Sequence, residues 1–200
     1  MELTLILGPM KSGKSYDLIS YFAPLRYTNI PHVLYQSKRN VRDEHITSRN
    51  GVALAAQKIT DLREALAGDW RVVGIDETHM FPASTVEVVE ELLKKGVKVI
   101  VSGLDLDYRG HMFEIIKGLL ELGPKEVRYK RAVCERCKNP EAIYTQVLKM
   151  GEPIVADLPP VLPDDGTYTY MTTCRNCFVK PVSSEYVRNN LTLPLEQALA

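Results

Sequence analysis

Eight residues carry the clearest chemistry in the chain: Gly8-Pro9-Met10-Lys11-Ser12-Gly13-Lys14-Ser15. They fit the pattern G-x-x-x-x-G-K-S/T, preceded by apolar Leu3 to Leu7 and followed by a helix-compatible segment. Glycines let backbone N–H groups turn toward phosphate oxygens, Lys14 supplies a point charge to the outer phosphates, and Ser15 offers a hydroxyl to Mg²⁺. The dipole of the following helix adds to the same anion site. A glycine-rich turn can join strand to helix without any ligand, but here strand, loop and helix fall where the motif requires them. A second site follows the apolar run Arg71-Val72-Val73-Gly74-Ile75, which ends in Asp76-Glu77. One carboxylate at the tip of a buried strand can hold Mg²⁺, and its neighbour can accept a proton from a nucleophile. An exposed acidic turn would look the same locally; the phosphate loop upstream is what favours the functional reading.

The four cysteines form a third group, Cys134-x-x-Cys137 and Cys174-x-x-Cys177, with 36 residues between the pairs. Four thiolates suit a closed tetrahedral Zn²⁺ site, which staples and does not catalyse. The spacing exceeds the stock pattern of about 15 to 20 residues, as a long insertion from a closed site would make it. Between the pairs, Pro153, Pro159, Pro160, Pro163, Asp164, Asp165 and Gly166 resist regular structure until Thr167-Tyr168-Thr169-Tyr170, which alternates like a strand. A loop pinned at both ends by metal can serve as a lid. The same composition also suits an inert surface loop.

These groups need elements to hold them. The helix after Lys14 is expected to end near Phe22 or Ala23, because Pro24 cannot continue it. His32 to Tyr35 reads as a buried strand. The polar stretch Gln36 to Gly51 reads as a solvated loop, in which Arg42 is the cation best placed to clamp transferred phosphate. Asp61 with Glu64, and Ser84 with Glu87, predict capping boxes opening two helices, the second closed by Gly96. Val97 to Val101 is a further strand leading to Ser102-Gly103-Leu104-Asp105-Leu106-Asp107-Tyr108-Arg109-Gly110, then a helix over Phe113 to Leu122 and a strand over Glu126 to Tyr129. Strand, loop and helix in alternation predict an α/β fold with a parallel sheet whose ligand loops gather at the strand C-terminal ends. The expected division is residues 1–131 for this domain, 132–182 for the metal-bearing part, and 183–200 for a short C-terminal tail, uninformative in sequence and expected to be partly disordered.

Two hundred residues with 45% hydrophobic content can bury such a core. The 25 basic and 25 acidic residues cancel, which argues against nucleic acid as the main partner. No apolar run approaches the ~20 residues that span a bilayer, no leader precedes the first strand, and the cysteine pattern suits a reducing compartment; a cytoplasmic protein is expected.

As a set, these motifs resemble the type II thymidine kinases, the cellular and bacterial class with a zinc-bound lasso. The likeness runs through the phosphate loop, Arg42 with Ser48-Arg49-Asn50-Gly51, Gly74-Ile75-Asp76-Glu77, Gly103 to Gly110 with Phe113, both cysteine pairs, and Tyr170-Met171-Thr172-Thr173. It implies a RecA-like parallel sheet flanked by helices, with a small zinc-stapled lasso domain. It also implies ATP-dependent transfer of the γ-phosphoryl group to the 5′-hydroxyl of thymidine or deoxyuridine, and a homotetramer. Carried over by position, Glu77 would be the general base and Ser15 with Asp76 would organise Mg²⁺. Lys14 and Arg42 would stabilise phosphate charge, and Met10, Tyr108, Phe113 and Tyr170 would surround the nucleoside. Several positions depart from the family. Thr78-His79-Met80-Phe81 replaces a small residue, Gln and an aromatic pair. Tyr108 stands where Phe is frequent and Met112 where Pro is common, and the usual Ser-x-Arg after the first knuckle is missing, with Thr145-Gln146-Val147 nearby. Asp165-Gly166, with Asp164 ahead, replaces Gly-Gly. The added carboxylates leave open a kinase for a deoxynucleoside bearing an exocyclic amine. A zinc-containing, nucleic-acid-binding P-loop ATPase would also carry these residues, as would a regulator that has lost catalysis.

Overall fold

The computed structural model describes residues 2–40, 45–47, 53–162 and 165–191. Arg42, Arg49, Pro163, Asp164 and the terminal Leu195 to Ala200 lie outside them. Six parallel strands form the central sheet: β1 (Leu3–Leu7), β2 (His32–Ser37), β5 (Gln57–Ile59), β6 (Val72–Asp76), β7 (Lys98–Gly103) and β8 (Glu126–Tyr129), in the order β5-β2-β6-β7-β1-β8. Every residue of β1 and β6 is buried, as expected when helices cover both faces of a parallel sheet. Helix α1 (Lys14–Phe22) covers one face, where Leu18, Ile19 and Phe22 pack with Ile6, Leu34 and Ile100. On the other, α2 (Thr85–Lys94) and α3 (Glu114–Glu121) set Val89, Leu92, Ile116 and Leu119 against Leu5, Val73 and Val101. Gly74 permits the first packing: a Cβ there would meet Leu34 Cδ1 at 2.4 Å and Phe22 Cζ at 2.6 Å.

The boundary at Pro24 falls as expected, with α1 ending at Phe22 and a 3-10 helix continuing over Pro24–Tyr27. Neither capping box forms. Ser84 is itself helical (φ −59°, ψ −14°) and makes no side-chain cap bond, since the turn begun at Pro82 already includes it and the Glu87 N–H donates to its backbone carbonyl at 3.2 Å. Asp61 caps a 3-10 helix over Leu62–Ala67, bonding the Arg63 N–H at 2.9 Å and leaving Glu64 out of the motif. Gly96, at φ 80°, does close α2: its N–H bonds Leu93 O at 2.9 Å and that of Val97 bonds Leu92 O at 3.0 Å. The polar stretch expected to be a loop contains β3 (His45–Thr47), paired antiparallel with β4 (Ala53–Ala55).

A separate antiparallel sheet, order β10-β9-β11, carries the metal region: β9 (Tyr144–Lys149), β10 (Glu152–Pro153) and β11 (Thr169–Thr173). Met150 (φ 53°) and Gly151 (φ 86°) form the two-residue turn joining β9 to β10, the left-handed pair that twisted hairpins favour. The tail opens in a helix. Helix α4 (Ser184–Leu191) starts where Ser183 Oγ accepts the Tyr186 N–H at 3.1 Å, and Asp157 Oδ2 accepts the Ser184 N–H at 2.9 Å. Among the described residues no helix is long and apolar enough to cross a membrane.

Candidate active site and metal centre

Because the central strands are parallel, β1, β6 and β7 end on one edge, and their loops build the site together. The chain leaves β1 at Gly8 (φ 145°), where a Cβ would lie 2.5 Å from the Lys130 carbonyl oxygen. It enters α1 through Gly13 (φ 83°), whose carbonyl accepts the Asp17 N–H at 3.1 Å. Lys14 is buried and its ammonium donates to Pro9 O at 2.7 Å. Burial pushes this ammonium below its ordinary range, opposed by the charges of Glu77, Asp76 and Asp105. Ser12 Oγ, buried in the same loop, has no partner among the described residues.

Asp76, at the tip of β6, is 3% exposed and accepts a hydrogen bond from the Ser102 hydroxyl on β7. Burial and then the neighbouring Glu77 raise its carboxyl well above the usual range. Asp76 at the strand tip and Ser15 in the cavity lining are the groups here that could hold a divalent cation. Glu77 turns out of the strand in the left-handed conformation (φ 50°, ψ 42°), and its carboxylate, 29% exposed, stands 3.5 Å from His79 Nδ1. That nitrogen accepts the Leu104 N–H at 3.2 Å, so the imidazole proton sits on Nε2 and His79 ties the β6 loop to the β7 loop. Burial, with the Lys14 charge adding to it, pushes His79 down to about 3.

A cavity of about 490 Å³ runs over these groups, within the size range of small-molecule sites. Met10, Ser15, Lys14, Glu77, Tyr108, Phe113 and Tyr170 all line it, so the structure brings together the residues that the sequence placed around phosphates and those it placed around a nucleoside. Gly8, Pro9 and Asp76 stand behind that lining. Val147, Val161 and Leu162 add apolar surface to the wall, and Asp17, Asn40 and Lys130 add polar groups. Tyr108 is buried in it, and its hydroxyl both donates to Leu158 O at 2.8 Å and accepts from Leu158 N at 3.1 Å. The hydroxyl absent from Phe thus anchors the proline-rich loop. Asp107 organises the same turn, accepting the Arg109 and His111 N–H groups at 2.9 Å and the Arg109 guanidinium at 2.6 Å. Asp165 is exposed, and its carboxylate accepts the Thr167 N–H at 2.9 Å; it does not line the cavity.

Sequence reasoning did not single out Asn40 or Lys130 and gave Thr145 and Val147 no role in the site, yet all four line the cavity. For Thr145 a signal existed: it lies near the missing Ser-x-Arg, and its hydroxyl accepts the Met10 N–H at 3.0 Å. Val147 gives the cavity an apolar side chain two residues on.

The cysteine Sγ atoms of Cys134, Cys137, Cys174 and Cys177 all lie within 4.8 Å of one another, and Cys137 and Cys174 Sγ are 3.7 Å apart. A disulfide would need about 2.05 Å. Tetrahedral zinc with Zn–S near 2.3 Å spaces its sulfurs about 3.8 Å apart, so the four thiols fit that ion. Both knuckles make the same turn, with the Lys138 N–H on Cys134 O at 2.8 Å and the Phe178 N–H on Cys174 O at 3.0 Å.

Comparison with known proteins agrees with this geometry. A family model described as thymidine kinase matches residues 1–178. The thymidine kinase of Mycoplasma mobile is 31% identical over 199 residues, covering 96% of this chain and 94% of that protein. A solved structure, homoserine dehydrogenase from S. aureus, aligns at 18% identity over 66% of this chain and 32% of its own, with a TM-score of 0.29, a likeness too low to carry any argument. Since the matched span takes in the phosphate loop, Asp76-Glu77, the Tyr108 turn and all four cysteines, the chain belongs to the thymidine kinase family.

Proposed function

We propose that the protein transfers the γ-phosphoryl group of ATP to the 5′-hydroxyl of thymidine or deoxyuridine, giving dTMP or dUMP for nucleotide salvage. The observation that carries the reading is that one cavity is lined both by Lys14 and Glu77 and by Met10, Tyr108, Phe113 and Tyr170. Residues Gly8 to Ser15 cradle the donor phosphates, Lys14 exchanging its Pro9 carbonyl for phosphate oxygens. Ser15 and Asp76 would hold Mg²⁺, whose charge offsets that of the phosphates when it is bound. Glu77 takes the proton of the 5′-hydroxyl. A carboxylate lining the cavity beside the phosphate loop is the group suited to that role. Met10, Tyr108, Phe113 and Tyr170 hold the base between apolar surfaces, and the loop tied at Leu158 excludes water. Arg42 is assigned to phosphate charge by family position alone.

Cys134, Cys137, Cys174 and Cys177 would hold a structural zinc, dividing the chain into a kinase domain (1–131), a zinc and lasso domain (132–182) and a C-terminal segment (183–200). A homotetramer in the cytoplasm follows from the family. The test is Glu77→Gln, which should lower turnover by ~100-fold or more, as loss of a general base does, while ATP binding by calorimetry stays within about twofold. Near-normal turnover in that variant would sink the assignment of Glu77.

A further inference from the structure

Two adjacent residues of the phosphate loop are gripped from the other sheet. Thr145 on β9 accepts the Met10 N–H at 3.0 Å. Next along the loop, the Lys11 ammonium is paired with the Glu135 carboxylate, their side chains being 34% and 37% exposed. Lys11 sits at φ 60°, a conformation that a lysine does not adopt by preference and that some contact must hold. Glu135 is well held itself. It lies inside the first knuckle, between Cys134 and Cys137, and its N–H donates to Thr172 O at 2.9 Å. Its second carboxylate oxygen accepts the Thr172 N–H at 2.7 Å. Thr172 is 1% exposed, and it is the register partner of Thr145 across β11 and β9. The two contacts on the loop therefore spring from one rung of the second sheet, and Tyr170 of the cavity stands two residues along the same strand.

We infer that Glu135 is a positioning residue for the phosphate loop: fixed by β11 and the cysteine knuckle, it anchors Lys11 and thereby sets the backbone that receives the donor phosphates. Lys11 is then a strut whose side chain serves the loop's shape, in contrast to Lys14, whose ammonium faces the loop interior. This rests on the proposed reading of the loop as the ATP site. It also means that metal in the knuckle supports donor binding across the molecule. The opposite arrangement, a phosphate-binding Lys11 restrained by Glu135, would give effects of opposite sign.

The experiment measures ATP·Mg²⁺ dissociation constants by calorimetry, and KM for ATP and for thymidine, in the zinc-loaded protein. Wild type is compared with Glu135→Gln, Lys11→Met, the double variant and the exchanged pair Lys11→Glu with Glu135→Lys. Glutamine keeps an acceptor for the Thr172 N–H while removing the charge. A partly exposed ion pair of this kind sets the expected loss at about three- to fivefold in ATP affinity for Glu135→Gln, with KM for thymidine unchanged. The double variant should be no worse than the poorer single, and the exchanged pair should recover at least about half of the loss, because the effect belongs to the pair. Tighter ATP binding by Glu135→Gln, unchanged binding, or an equal rise in both KM values would overturn the inference. A wild-type protein that does not bind ATP·Mg²⁺ would instead refute the kinase reading and the inference with it.

Discussion

The hydroxyl of Tyr108 makes the sharpest prediction, because removing it deletes two hydrogen bonds and almost nothing else. In Tyr108→Phe the buried ring stays, while Leu158 O loses a donor at 2.8 Å and Leu158 N an acceptor at 3.1 Å. Two such bonds are worth about 1–3 kcal/mol net, and the half-buried Leu158 can recover part of that from water, so a loss of ~1–2 kcal/mol is expected. That changes the ratio of attached to detached loop by roughly 5- to 30-fold. Apparent nucleoside affinity falls with the attached fraction, so KM for thymidine should rise by up to about tenfold, with KM for ATP moving less than about twofold. Amide hydrogen exchange over residues 153–162, read beside steady-state kinetics, should show faster exchange in the variant. Unchanged exchange together with unchanged thymidine KM would refute the anchoring role.

Three further outcomes are expected. Gly74→Ala would place a methyl 2.4 Å from Leu34 Cδ1 and 2.6 Å from Phe22 Cζ, so the sheet or α1 must shift, at about 1–3 kcal/mol of stability by denaturant titration; an undiminished midpoint would contradict the packing. His79 stays neutral in the fold because burial holds it at about 3, against 6.5 unfolded, so its contribution to stability is present above pH 6.5 and is lost as pH falls toward 3. His79→Gln should therefore lose ~2 kcal/mol less than wild type between pH 6.5 and pH 5, and identical pH slopes would rule this out. Metal analysis should find about one zinc per chain, and stripping it should open residues 132–182 to protease; a metal-free protein with native resistance would remove the staple.

Some of this was legible in the sequence because local chemistry dictates it. The phosphate loop, the Asp76-Glu77 strand tip and the cysteine pairs each require particular residue types at short spacing, and the alternation of strands with helices implied the parallel sheet that gathers them. Pro24 and Gly96 punctuated helices for backbone reasons that no tertiary contact altered. The capping boxes at Asp61 and Ser84 failed because a turn or a neighbouring N–H met the same need first. What stayed hidden was long in range. Thr145 reaches Met10 across 135 positions, and Glu135 reaches Lys11 across 124, through a pairing of β9 with β11 that no short window of sequence contains. The helix at Ser184–Leu191 was missed because its residues are mostly polar, although Ser183 offered an N-cap. Val147 was visible only beside a motif missing from the family pattern, and its place in the cavity lining came with the structure.

The most direct measurement is phosphorylation of a nucleoside panel by purified protein with ATP·Mg²⁺: thymidine, deoxyuridine, deoxycytidine, deoxyadenosine and deoxyguanosine, with product identified as the 5′-monophosphate. Turnover led by thymidine or deoxyuridine is the predicted result, because Val147, Val161 and Leu162 line the cavity with apolar side chains and the Asp165 carboxylate is turned to its own loop. Turnover led by a nucleoside with an exocyclic amine, or ATP hydrolysis with no nucleoside phosphorylated, would contradict it.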